Sequence, residues 1–181
     1  SSANLSLSQG EFRTAFKAAL KACLGEAEKE AVQEAAADYE KQLRVIPNAV
    51  LPRSSGLPRF DLLLLGFGLD GHVASLFPGH KLLEDSSNSW VLPIWDSPKP
   101  PAARITFSMP VIKSAARVII VGSGSSKKDV VKKAFEDCNL PLRLAMGASP
   151  SVRPVLVLDS AAAVNLDAGL LEKQGYELRR S

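Results

Sequence analysis

Phe60-Asp61-Leu62-Leu63-Leu64-Leu65-Gly66-Phe67-Gly68-Leu69-Asp70-Gly71-His72-Val73-Ala74-Ser75-Leu76-Phe77-Pro78-Gly79 is the segment on which the fold turns. Its opening residues form a short, nearly unbroken apolar run ending at a glycine, the pattern of a strand covered on both faces. Arg117-Val118-Ile119-Ile120-Val121 and Pro154-Val155-Leu156-Val157-Leu158 repeat that pattern. Each run leads into an expected helix: a short one after Gly71, one from Lys127 to Phe135, and one from Ser160 onward. Strand and helix alternating at this spacing predict an α/β fold, an open, mostly parallel sheet with helices on both faces. Trp90 to Ile94 and Ile105 to Ser108 are candidates for further strands. Pro98-Lys99-Pro100-Pro101 between them must be an irregular loop, because proline cannot donate to a ladder.

Upstream, apolar residues recur at three- and four-residue intervals instead. Ser8-Gln9-Gly10-Glu11 has capping-box spacing, and Phe12, Phe16, Ala19, Leu20, Cys23 and Leu24 then mark one side of an amphipathic helix. A second helix is expected from Glu26 to Arg44, with Val32, Ala36, Tyr39 and Leu43 as its apolar stripe and Glu28, Lys29, Glu34, Lys41 and Arg44 on the wet side. Pro47 to Arg59, rich in proline and serine, reads as a connecting loop.

At 181 residues and 46% hydrophobic composition, the chain can bury one sizeable core, so residues 1–181 are expected to form a single domain. The 22 Lys and Arg against 19 Asp and Glu leave a net charge of +3 with no long basic run, so charge does not argue for nucleic acid and no nucleic-acid partner is expected. No apolar run approaches the ~20 residues that span a bilayer, and the first residues lack signal-peptide order. Cys23 and Cys138 lie far apart with no C-x-x-C pairing, which fits a reducing compartment. The expectation is a soluble protein without membrane partners, cytoplasmic or plastid-borne, monomeric or weakly homo-oligomeric. The chain opens on Ser1-Ser2 rather than methionine, so it is read as a fragment or processed product.

Gly66, Gly68 and Gly71 spell G-x-G-x-x-G, the pattern tied to dinucleotide pyrophosphates. That reading fails on its neighbours. Asp70 would set a carboxylate where the pyrophosphate belongs, Pro78 stops the following helix almost at once, and the acidic residue expected at a second strand end is missing. The alternative is a tight turn beside a ligand, with Asp70 and His72 projecting into the site. A neutral imidazole can take a proton from water as that water attacks a carbonyl, and a carboxylate beside it fixes the tautomer. The bland reading, in which His72 only caps a short helix, stands beside it. His80, past Pro78-Gly79, reads as a loop residue.

From Phe60 to His80 the sequence resembles the signature of the 6-phosphogluconolactonases, most closely the plant members. Ala35-Ala36-Ala37-Asp38-Tyr39, Asp96-Ser97-Pro98-Lys99-Pro100-Pro101, Arg104-Ile105-Thr106-Phe107 and Val111-Ile112 follow in that family's order and spacing, so the likeness runs from about Val32 to Leu158. The glycine-histidine signature also belongs to glucosamine-6-phosphate deaminases, but those continue toward an Asn-Glu-Pro segment, whereas Ser75-Leu76-Phe77-Pro78 matches the lactonases. The resemblance implies a Rossmann-like sheet and a phosphorylated sugar lactone, 6-phospho-D-glucono-1,5-lactone, as small-molecule substrate, hydrolysed without metal or cofactor. It makes His72 the base, Asp70 its support, and Gly66, Gly68 and Gly71 the turn beside the substrate.

A phosphate dianion needs cations and free N–H donors, as a glycine turn opening a helix provides. Gly122-Ser123-Gly124-Ser125-Ser126-Lys127-Lys128 is such a turn; the resemblance matches Gly124 and Lys127 to the lactonases' Gly-x-x-Lys turn, with Lys128 as the register alternative, and Arg104 is a second candidate cation against a simple surface ion pair. Trp95 and Lys99 are left outside the expected site, and Lys132, Lys133, Arg143, Arg179 and Arg180 read as solvated charges. The family's Gly-Gly-Ser-x-Pro and Asp-Glu-Arg motifs do not occur here, so the domain is expected to be N-terminally incomplete. That keeps two rivals in play: a deaminase-isomerase and a non-catalytic sugar-phosphate-binding remnant.

Overall fold

The computed structural model describes residues 9–147, 154–173 and 175–176, with side chains described from Gly25 onward except at 168, 170 and 173. Expectations resting on Ser8, on the side-chain stripe from Phe12 to Leu24, and on Arg179 and Arg180 lie outside them. Where two helices are predicted there is one, α1 (Gln9–Val45). Gly25 does not break it. A helical glycine costs about 1 kcal/mol relative to alanine, and the Ala-, Glu- and Lys-rich sequence on either side outweighs one such residue. Ala36 and Leu43 of the predicted stripe are buried.

The predicted loop after α1 contains a small hairpin of β1 (Arg53–Ser54) and β2 (Leu57–Pro58), turned by Ser55 and Gly56, both at positive φ. β3 (Leu63–Leu65) is shorter than its apolar run. β4 (Val91–Ile94) and β5 (Arg104–Phe107) are the further strands, paired antiparallel around the proline loop. Then follow α2 (Met109–Ser114), β6 (Val118–Gly122), α3 (Lys128–Glu136), α4 (Pro141–Met146), β7 (Val155–Leu158) and α5 (Ala168–Lys173). The helix expected from Ser160 is thus preceded by turns. No helix among the described residues is long and apolar enough to cross a membrane.

β3, β6 and β7 form the expected parallel sheet, in that order. Alternation along the strands sorts their side chains. Val118 and Ile120 are buried, and Leu63, Leu65, Leu156 and Leu158 pack with them against Val130, Val131, Ala134 and Phe135 of α3 and Leu142, Ala145 and Met146 of α4. The opposite face carries Leu64 at 67% exposure, Val155 at 52%, Val121 and Val157. A smaller core joins α1 to the β4–β5 pair through Ala36, Leu43, Trp90, Val91 and Val111. Glu40 fastens that junction, accepting the N–H groups of Trp90 at 2.7 Å and Val91 at 3.0 Å while pairing with Arg44. Burial pushes the Glu40 carboxyl up, but these donors hold it below the usual glutamate range.

Because the three strands run parallel, the segments after Leu65, Gly122 and Leu158 emerge at one edge of the sheet. That edge is where ligands bind in open α/β folds.

Candidate functional site

The segment after β3 does not form the short helix predicted beyond Gly71. Six residues between Gly71 and Pro78 leave too little chain for one, and the backbone folds back on itself instead. Phe67 bridges Val73, Val73 bridges Leu76, and Ala74 at the tip takes a φ of 53°. The Gly68 N–H donates to the His72 carbonyl at 2.9 Å and the Gly71 N–H to the Gly68 carbonyl at 3.0 Å. Gly71 is required twice over: its φ is 84°, and a Cβ there would lie 2.7 Å from the Leu140 side chain. Ser75, just after the tip, is tied to β5 through its N–H and the Thr106 hydroxyl at 3.1 Å.

This loop delivers His72 and Asp70 to each other. His72 Nδ1 lies 2.6 Å from Asp70 Oδ1. Burial pushes the Asp70 carboxyl up, but hydrogen bonds from Lys99 and His72 outweigh it and bring it down to about 2. An ionised carboxylate can only accept, so Nδ1 carries the hydrogen and the neutral ring keeps its lone pair on Nε2. The ring is only 18% exposed and rests on Phe77, centroids 4.5 Å apart. His72 therefore does not cap a helix; it is a braced imidazole whose other nitrogen meets no hydrogen-bond partner among the described residues.

The glycines divide. Gly68 lies beneath the pair, where a Cβ would run into the His72 ring and the Asp70 carboxylate. At Gly66 nothing lies within 4 Å of a Cβ, which leaves the main chain there open. Lys127 reaches the same loop: its ammonium donates to the Phe67 carbonyl and sits 4.6 Å from the centre of the Phe67 ring. Lys128 instead starts α3. Gly124, expected to offer its N–H to substrate, donates it at 2.8 Å to Asp159, just beyond β7. The parallel register sets the two strand ends side by side, and the carboxylate takes the donor.

Arg104, the second expected cation, is anchored on the proline loop. Its guanidinium donates to the carbonyls of Pro101 at 2.9 Å, Lys99 at 2.8 Å and Pro100 at 2.9 Å. It also lies over Phe77, 5.5 Å from the ring centre. Arg104 is thus a clamp on the proline loop behind the histidine's aromatic support, because β5 starts directly beneath that loop. The residue missing from the sequence reading is Lys99, whose Nζ lies 3.0 Å from Asp70 Oδ1. His80 is more than a loop residue: its Nδ1 accepts the Leu82 N–H and its Nε2 meets Asp96 at 3.0 Å. Lys132 and Lys133 form exposed pairs with Glu136 and Asp137, whereas Arg143 packs on Tyr176.

Among the described residues no group of three or more His, Cys, Asp or Glu side chains is placed to hold a metal ion. Residues 9–153 match the family model described as glucosamine-6-phosphate isomerases/6-phosphogluconolactonase, starting well before the motifs quoted from Val32 onward. The chain is 46% identical over 138 residues to 6-phosphogluconolactonase 3, chloroplastic, of Arabidopsis thaliana, covering 74% of this chain and 42% of that protein. It is 43% identical over 132 residues to the 6-phosphogluconolactonase of Rattus norvegicus, covering 73% and 49%. The structure superposes on the crystal structure of 6-phosphogluconolactonase from Leishmania guyanensis with a TM-score of 0.64 at 29% identity, over 77% of this chain and 55% of that one. For the Trypanosoma brucei enzyme the values are 0.61, 31%, 75% and 54%. The chain spans about half the length of the curated relatives it matches.

Proposed function

This chain belongs to the glucosamine-6-phosphate isomerase/6-phosphogluconolactonase family, and on that footing we propose that its site hydrolyses 6-phospho-D-glucono-1,5-lactone to 6-phosphogluconate, a step of the oxidative pentose phosphate pathway. The observation that carries this reading is the His72–Asp70 pair, which leaves one ring nitrogen free at the ligand-binding edge of a parallel sheet. Water held at Nε2 loses its proton to the ring as it attacks the lactone carbonyl. Asp70 supports the imidazolium that forms, the tetrahedral intermediate collapses, and the ring returns the proton to the departing ring oxygen. Lys127, reaching the His72 loop from the turn after β6, is the cation for the phosphate; binding would draw its ammonium off the Phe67 carbonyl. Arg104 serves by holding the proline loop. The reaction as read needs no cofactor. The compartment is the cytoplasm, with the plastid as the alternative supported by relatives described as chloroplastic.

The test is lactone hydrolysis by the purified chain and by His72→Asn. The variant should lose at least about 100-fold in kcat with KM little changed. Equal turnover by the two proteins would remove His72 from the reaction. Binding of 6-phosphogluconate in a calorimeter without turnover would replace hydrolysis by sugar-phosphate binding. Ammonia released from glucosamine 6-phosphate would move the chain to the other branch of its family.

A further inference from the structure

We propose that Lys99 is a positioning residue of this site, the cation that shares one oxygen of Asp70 with His72 and so governs which form of the imidazole meets substrate. The inference rests on the hydrolase reading of His72 and deepens it. Two donors converge on Asp70 Oδ1: His72 Nδ1 at 2.6 Å and Lys99 Nζ at 3.0 Å. The second comes from a loop built to present it. Ser97 Oγ donates to the Lys99 carbonyl at 2.8 Å and accepts the Lys99 N–H at 3.3 Å. Arg104 donates to that same Lys99 carbonyl and to the two carbonyls after it, and the Ser97 N–H closes the loop on the Ala102 carbonyl at 3.1 Å. An ordinary surface lysine trails from an element that has its own reasons to be there; here the main chain on both sides of Lys99 is fixed.

The consequence is electrostatic. A carboxylate alone beside a histidine favours the imidazolium, which cannot act as a base. An ammonium on the same oxygen cancels part of that pull. It also keeps Asp70 ionised, in line with its carboxyl being held at about 2. The charged groups that the structure sets around the ring come from four segments. Asp70 lies on the ring's own loop and Lys99 on the proline loop. Arg104 of β5 stands over the Phe77 ring that supports the imidazole, and Lys127 sits on the Phe67 carbonyl. All three cations disfavour the imidazolium, but among them Lys99 is the one paired with the carboxylate that supports it. At the far end of the proline loop, Asp96 is engaged by His80 and Lys81.

The test compares Lys99→Met and Lys99→Arg with the parent chain. With two histidines in the sequence, ring NMR signals are assigned by comparison with His80→Asn and followed through a pH titration without substrate. In Lys99→Met the His72 ring should take up its proton at higher pH than in the parent, whereas Lys99→Arg should follow the parent. In lactone assays Lys99→Met should lose about 3- to 10-fold in kcat/KM at the acid end of the profile, since each pH unit of displacement changes the neutral fraction up to tenfold, and recover at alkaline pH. A ring titration that stays put or moves downward overturns the proposal, as does a pH-independent rise in KM, which would make Lys99 a plain substrate ligand. Should Lys99→Met lose its dispersed NMR spectrum, Lys99→Gln takes its place. The ring titration needs no turnover, so a parent chain without lactonase activity would sink the hydrolase reading and leave the Lys99 question answered.

Discussion

Gly68 has no room for a side chain, because a Cβ there would meet the His72 ring and the Asp70 carboxylate. Its backbone is not in the left-handed region, so the demand is for space alone. Gly68→Ala should therefore fold yet displace the imidazole, costing about 100-fold in kcat/KM, the scale expected of a displacement near 1 Å at a reacting group. Gly25→Ala, within α1 and with nothing within 4 Å of a Cβ, is the control and should keep activity. Steady-state assays beside thermal melts check both; a Gly68→Ala enzyme as active as the control would mean the ring position is immaterial. At this scale the sequence was legible where chemistry is local. His72 and Asp70 belong to one turn, and glycines around a titratable pair announce it. Lys99 was illegible because its contact joins two loops far apart in sequence. The grip of Arg104 on the carbonyls just upstream was illegible for a related reason, since a cation before a strand does not announce which main-chain oxygens it will meet.

Helix α1 shows what a residue-by-residue reading misses about elements. Gly25 looks like a stop when only its own propensity is weighed, but helix formation is cooperative and its neighbours carry it through. The opposite error sits after Gly71, where strand–helix alternation suggests a helix in a stretch that closes a turn with Ala74 at positive φ. What positions α1 is Glu40, whose carboxylate receives the Trp90 and Val91 N–H groups at the start of β4. Glu40→Ala leaves both donors unpaired beside the buried Trp90 and should cost about 1.5–3 kcal/mol of stability, read from urea denaturation. The sign with pH follows from its lowered carboxyl: the contribution is full above the ordinary glutamate range and fades as pH falls through the lowered value. The parent-to-variant gap should therefore narrow in acid; a gap that stayed constant down to low pH would assign the stabilisation to packing.

Across the whole molecule the α/β class and the parallel strands were readable from three apolar runs, since only a sheet with crossover helices spaces such runs this way. The coverage of the strands was not. Leu62-Leu63-Leu64-Leu65 carries no alternation, yet Leu63 and Leu65 pack inward while Leu64 faces water with Val121, Val155 and Val157. A contiguous apolar face of this kind promotes sticking. Val157→Lys should leave unfolding stability within about 0.5 kcal/mol of the parent, a surface-substitution effect, while lowering light scattering and fluorescence of a hydrophobic dye in concentrated solution. Unchanged dye binding would mean the face is already occupied. The three strands that bear this wetted side also end in the loops carrying His72, Lys127 and Asp159. Whatever settles there presses on the frame from behind and leaves its mouth open. Its influence should register in how firmly those loops are gripped, and because coupled equilibria are reciprocal, sugar phosphate would change its hold by the same factor.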